Sequence, residues 1–305
     1  MTPFVHGHTT AFTLDPAKHP VMLEYRIDGY PSLPLALAIE LIAQVALKQH
    51  TSDPMHRDLT LAGIRMQSPL MAYGDDAFAI EVGNHAHHRQ TWNLCCDLRN
   101  QDGVLIEPSK RYATCTFEPT PNSLSPSDPS NDSVTDRQAI EAIEQSPIEP
   151  IDENAVMFLG HLFRGSKLGQ LTSIGYGSAP FAEQIPTAAA HFNVPLANSV
   201  WGEAIGGKPA ITPTATIDLM LDAVQRLADR RTGEECIICG IDELQIHRHP
   251  NEGESLTTLA KWIAPNLDEI GGTAAANVYG EAGDLVVRMI GIQIEQHLGT
   301  RSIFI

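Results

Sequence analysis

The sequence predicts an α+β fold in which an antiparallel sheet wraps a buried helix, and it predicts that arrangement twice. Residues 35–48 form an apolar stretch of helical periodicity, and residues 213–228 form a second of the same design. Each is followed by about four segments of β character, the order expected when a sheet curls around a central helix.

The first helix begins after Pro34. Leu35, Leu37, Ile39, Leu41, Ile42, Val45 and Leu47 leave it almost no polar face, so other structure must enclose it. Glu40, Gln44 and Lys48 interrupt it at i, i+4 and i+8, on one stripe. The helix dipole ordinarily accounts for an acid in the first turn. In a helix this apolar, however, the carboxylate is held near the interior, where an unpaired charge is costly.

The stretch PTATIDLMLDAVQRLA (213–228) repeats the design. A proline precedes Asp218, Asp222 and Arg226, again at i, i+4 and i+8, among Ile217, Leu219, Met220, Leu221, Val224 and Leu227. Glu40 and Asp218 stand 178 residues apart, and the repeated stripe with its following strands indicates an internal duplication.

The strands come in order. LTLAGIRM (59–66), DAFAIEV (76–82), TWNLCCDL (91–98) and the stretch around RYATCTFEP (111–119) read as β, separated by Gly, Asp and Asn turns. From about residue 120 the chain turns to Pro, Ser and Asp with nothing to bury, which reads as a linker, and a short acidic helical piece follows at 137–145. The second half then gives MFLGHLFRG (157–165), its helix, and β segments at 235–247, 255–264, 272–280 and 284–294. The expected organisation is residues 1–120, a linker over 121–150, and residues 151–305.

Composition narrows the class of function. The chain has 305 residues, 43% hydrophobic and 19% charged, enough for one large domain or two of ordinary size with proper cores. A net charge of −17, from 20 basic and 37 acidic residues, argues against nucleic acid and anionic membrane as partners. No run approaches the ~18 apolar residues of a membrane span. MTPFVHGHTT lacks the basic start and apolar core of a secretory signal. Five cysteines, an odd number, suit a reducing compartment. A soluble cytoplasmic protein is expected.

Against this background a family resemblance appears. The His19-Pro20 pair, a short extended piece, Gly29-Tyr-Pro-Ser-Leu-Pro34 and an apolar helix with an early acid resemble the first half of polyketide synthase dehydratase domains. The resemblance extends to the dehydratases of polyunsaturated fatty acid synthases and covers nearly the whole chain. The family's first motif, H-x-x-x-G-x-x-x-x-P, is met by Gly29 and Pro34, with Tyr25 at the histidine position and Leu35 where glycine is usual. Phe158 to Gly165 (FLGHLFRG) is similar to the family's F-H-G-P-x-F: Gly160 and Phe163 match, and His161 stands in place of proline. The second catalytic motif, an acid followed four residues on by Gln or His, resembles Asp218 with Asp222 at the amide position. Asp222 followed by Gln225 is a rival one turn out of register.

The resemblance implies a double hotdog fold and dehydration of 3-hydroxyacyl chains carried by an acyl carrier protein. In the family a histidine removes the α-proton, and the acid on the second helix protonates the departing hydroxyl, leaving a trans-2-enoyl chain. No cofactor or metal is implied. The implied partners are the carrier protein, neighbouring synthase domains and a second copy of the chain. Gly29, Pro34, Gly160, Phe163 and Glu40 are the expected substrate-binding residues, Glu40 because its position is similar to the catalytic Glu of single-hotdog dehydratases.

Tyr25 alters the chemistry. An imidazole is largely free base at neutral pH, whereas roughly one part in a thousand of an ordinary phenol, pKa ≈ 10, is ionised. Loss of a general base removes typically 10²–10⁴-fold in rate. His19, His161 and His191 are the substitutes to consider. The sequence therefore supports an impaired dehydratase or, alternatively, a catalytically silent pseudo-dehydratase with an architectural, dimerising or carrier-docking role. Docking an acidic carrier calls for a local basic patch, near Lys110 and Arg111 or near Arg230 and Arg231.

Other signals have plainer readings. Cys236-Ile-Ile-Cys239 lies in a strand-like run with no second pair at zinc-finger spacing, so buried strand cysteines are expected. His85, His87 and His88 sit in a hairpin-like NHAHHRQ, and Gly175-Tyr-Gly177 lacks the rest of a phosphate loop. No G-x-S-x-G elbow occurs. Trp201 and Trp262 suit core or dimer contacts as well as a substrate wall.

Overall fold

The computed structural model describes residues 6–15, 18–19, 21, 25–27, 29–50, 59–71, 77–85, 88–100, 103–118, 129–145, 149–150, 157–159, 162–164, 169–178, 185–196, 210–265 and 271–296. The first half comprises β1 (His6–Leu14), β2 (Tyr25–Ile27), β3 (Tyr30–Pro31), α1 (Leu35–His50), β4 (Leu59–Met66), β5 (Phe78–His85), β6 (His88–Arg99) and β7 (Leu105–Glu118). Helix α2 (Pro129–Glu144) follows. The second half comprises β8 (Glu149–Pro150), β9 (Met157–Leu159), β10 (Leu162–Arg164), β11 (Leu171–Ser178), β12 (Pro186–Asn193), α3 (Thr214–Thr232), β13 (Cys236–Ile246), β14 (Ser255–Pro265), β15 (Gly271–Gly280) and β16 (Leu285–Gln296).

Twelve strands form one antiparallel sheet in the order β1-β5-β6-β7-β4-β13-β16-β15-β14-β12-β11-β8. The halves meet at the β4–β13 pair, where Leu61 faces Leu244 and Ile64 faces Ile241. Counted outward from that seam, each half runs in the same way. The strand after the helix comes first, then the fourth, third and second strands of the run, then a strand from before the helix, β1 or β12; the second half alone continues, with β11 and β8. The duplicated stripe thus has a duplicated topology around it.

Each helix is enclosed as its composition requires. Every residue of α1 from Leu35 to Leu47 is buried, and Lys48 is the first exposed one. Helix α3 buries Ile217, Leu219, Met220, Leu221, Val224 and Leu227, and α1 and α3 join the inner faces of both half-sheets in one core. Gly233 ends α3 in the left-handed conformation, φ 72°, and its N–H returns to the Asp229 carbonyl at 2.9 Å. Neither helix has an acid in its first turn, so the dipole does not explain Glu40.

The expected linker needs a correction as well. Residues 129–144 form a 16-residue helix, starting earlier than the 137–145 segment expected to be helical. Asp136, Ala139, Ile140 and Ile143 fall at i, i+3, i+4 and i+7 and turn one face of α2 inward. Three of the four lie in the segment expected to be helical, and the fourth, Asp136, is a carboxylate just ahead of it. Among the described residues, no helix is long and apolar enough to cross a membrane.

Candidate functional site

A second, four-stranded sheet of order β3-β2-β10-β9 is built from both halves. It brings together two of the stretches singled out in the sequence. Strand β10 pairs with β2 so that Arg164 faces Tyr25, Phe163 faces Arg26 and Leu162 faces Ile27. Tyr25 is half-buried, and its carbonyl accepts the Ser32 N–H at 2.8 Å. Gly29 turns the chain between β2 and β3 with φ 82°, a conformation that L side chains rarely adopt, although a Cβ there would touch nothing. Leu33 N–H bonds the Leu70 carbonyl at 2.9 Å, and buried Pro34 accepts from the Leu37 and Ala38 amides. The segment from Tyr25 to Pro34 is therefore held at both ends before α1 starts. Gly160 and His161 lie outside the described residues.

The acids of the two helices have different surroundings. Glu40 is 2% exposed and accepts four hydrogen bonds. Its Oε1 receives Gln44 Nε2 and the Ile211 N–H, both at 2.8 Å. Its Oε2 receives the Thr212 N–H and Thr212 Oγ1, both at 2.7 Å. Bonds of this kind to a carboxylate are short and strong. The first-half helix is thereby fastened to the turn that opens the second-half helix.

His249, in the loop after β13, hydrogen-bonds the Ile211 backbone on the same turn. Burial of its ring pushes the imidazole pKa down, and the nearby Glu40 carboxylate and the Ile211 bond offset part of that shift. Nothing in the sequence pairs His249 or Thr212 with Glu40; only the fold does so.

On α3, Asp218 is 5% exposed and Asp222 equally so. Asp222 Oδ1 accepts Arg226 Nε at 3.1 Å, the same i,i+4 step that joins Gln44 to Glu40 on α1. Gln225, the other partner considered for Asp222, is committed elsewhere. Its Nε2 donates to the Cys236 carbonyl and to Asp229 Oδ1, the latter at 2.9 Å. Burial pushes the Asp229 carboxyl up to about 6, and its Oδ2 is buried without a hydrogen-bond partner.

Of the histidines considered as substitute bases, the two described ones each have partners of their own. His19 is buried, and its Nδ1 closes a turn on the Asp15 backbone at 3.0 Å. His191 lies on the opposite face of the sheet from α3, between Thr257 Oγ1 at 3.0 Å and Glu144 at 3.2 Å. Cys236 and Cys239 are part of β13, where burial pushes both thiols up, Cys239 to about 12. A neutral thiol is a poor nucleophile and a poor metal ligand. Among the described residues, no three His, Cys, Asp or Glu side chains converge as a metal site. Of the basic residues considered for docking, Lys110 lies 5.3 Å over the Tyr112 ring, Arg111 bonds Gln67 and Arg230 stacks 4.2 Å over Tyr176.

Two helices of shared design, each wrapped by half of one antiparallel sheet, define a double hotdog. Comparison with known structures gives the same class. The dehydratase domain from the CurJ module of curacin polyketide synthase superposes with a TM-score of 0.68 at 11% identity, covering 100% of this chain and 96% of that one. The dehydratase domain of a mycocerosic acid synthase-like polyketide synthase gives 0.64 at 13% identity, over 95% and 92%. An inactive CurJ dehydratase, in which one histidine is replaced by phenylalanine, gives 0.65 at 13%, over 100% and 96%. No protein-family model and no curated protein sequence matches the chain. At these identities the likeness shows the fold, that of polyketide synthase dehydratase domains over essentially the full chain.

Proposed function

We propose that this chain is a dehydratase-like domain for 3-hydroxyacyl chains carried by an acyl carrier protein in polyketide or fatty acid synthesis, with Asp218 as general acid and Tyr25 in the position of the base. The observation that carries this reading is the four-stranded sheet shared by the two halves, in which Tyr25–Ile27 of one half pairs with Leu162–Arg164 of the other within a full-length double hotdog. In the reaction, the base takes the α-proton, the C–O bond at the β-carbon breaks, and the acid's proton leaves with the hydroxyl as water. Gly29, Pro34, Gly160 and Phe163 would shape the acyl site. Glu40, with four protein donors on its oxygens, would serve it by holding α3 rather than by touching substrate.

Tyr25 supports a slow enzyme. A phenol can donate to an oxygen but is a weak base at neutral pH. The second reading, a silent pseudo-dehydratase that dimerises or docks a carrier protein and neighbouring synthase domains, is favoured by the same residue. The CurJ relative inactivated by exchanging one histidine for an aromatic residue is its parallel.

The test is incubation with a 3-hydroxyacyl carrier protein or short thioester surrogate, followed by mass for loss of water. Slow turnover that rises toward pH 10 and vanishes in Asp218→Asn supports the dehydratase, since deprotonation of a phenol would then limit the rate. A Tyr25→His variant should gain roughly 10²–10⁴-fold and reach its plateau near neutral pH. Inactivity of both the wild type and Tyr25→His would rule out the lyase and leave the architectural role.

A further inference from the structure

Helix α2 crosses the face of the C-terminal half-sheet that α3 does not touch. Its four inward residues meet a surface made by alternate positions of three strands: Ala189 on β12, Leu259 on β14, and Asn277 and Tyr279 on β15. Ile143 packs against Gly177 of β11 so closely that a Cβ there would lie 2.9 Å from its Cγ1. Asp136 is fully buried. Its Oδ1 takes the Lys261 ammonium, and its Oδ2 takes Asn277 Nδ2 at 2.7 Å and the Tyr279 hydroxyl at 2.6 Å. At the far end of the helix Glu144 pairs with His191.

Two features separate this contact from the rest of the fold. The apolar cluster under α2 (Ala139, Ile143, Ala189 and Leu259) is distinct from the main core that surrounds α1 and α3. The contact is also small, and a single carboxylate collects three donors from two strands. A patch of so few methyl groups orders a 16-residue helix weakly by burial alone, so the polar centre decides whether the helix stays down.

We propose that the outer face of the C-terminal half-sheet is a docking surface for an amphipathic helix bearing one inward carboxylate, that α2 occupies it as a strap, and that Asp136 is its latch. Leu259 and Ala189 supply the apolar floor, and Lys261, Asn277 and Tyr279 read the carboxylate. Because the main core is elsewhere, the strap lifts without opening the double hotdog, as a local unit of low stability.

Hydrogen exchange on the full-length chain tests this, with Asp136→Asn and Ile143→Asp as separate variants. In both, amides of residues 129–145 should exchange at least roughly tenfold faster, while those of α3 and β13 to β16 keep their wild-type rates. A fluorescent peptide of residues 129–145 should then bind the Ile143→Asp protein, whose own strap is displaced, and bind the wild type far less. The same peptide carrying Asp136→Asn should fail to bind. Unchanged protection of α2 in both variants, loss of protection by α2 and the sheet together, or a released surface that ignores the peptide would each overturn the proposal.

Discussion

The buried acids of α1 and α3 began as the same feature and have come to different ends. Glu40 is saturated by Gln44, the Ile211 and Thr212 amides and the Thr212 hydroxyl, and it binds one half to the other. On α3, Asp222 is answered by Arg226 from its own helix, and Asp229 is answered on one oxygen only. A carboxylate that takes its donors from a distant segment is a structural fastener. The Asp222–Arg226 pair, by contrast, is made within one helix and joins nothing to it. The difference is in the partners, since the carboxylates themselves are alike.

Removing the fastener should have the largest effect. Glu40→Ala leaves two backbone N–H groups, a hydroxyl and an amide buried without their acceptor, and should cost roughly 3–5 kcal/mol in denaturant unfolding. A loss comparable to an ordinary surface change would show that the two halves are not joined through this residue. Arg226→Met comes next. It removes the Arg226 partner of the Asp222 carboxylate, whose side chain is 2% exposed, and should cost about 2–4 kcal/mol, with most of that loss recovered in the Asp222→Leu, Arg226→Met double variant.

Asp229 should move in the opposite direction. Burial raises its folded pKa from 3.8 to about 6, so the folded state prefers the protonated acid. That preference supports the fold fully below about pH 4 and is lost as pH rises through 6. Asp229→Asn should therefore stabilise the protein at pH 8 by about 1–2 kcal/mol, allowing for solvent screening, and bring no gain below pH 4. Thermal melts across that range check the sign. Smallest is Gly29→Ala, about 1 kcal/mol, because the position needs φ 82° but has room for a methyl group.

How legible these features were in the sequence depended on their range. The two helices and most strands after them follow from local periodicity: β4 spans Leu59–Met66, the stretch LTLAGIRM. Strands β1, β11 and β12 carried no such signal. β12 reads PTAAAHFN, and its alanines are poor strand formers that pair because β14 and β11 flank them. The inward face of α2 was hidden because Asp136 interrupts its apolar pattern, and the three residues that make a buried acid acceptable there are 125 to 143 positions away. At the candidate site, the Tyr25 and Phe163 motifs were visible separately, and their pairing across the halves was not.

The sequence by itself determined that two apolar helices must be enclosed, that each carries an acid on a defined stripe, and that sheets follow them. Those are consequences of hydrophobic burial and helical periodicity, which act over a few residues. Only the tertiary structure decided what each acid does. A buried carboxylate takes its role from the donors around it, and for Glu40 and Asp136 those donors come from segments that the chain brings close only once it has folded.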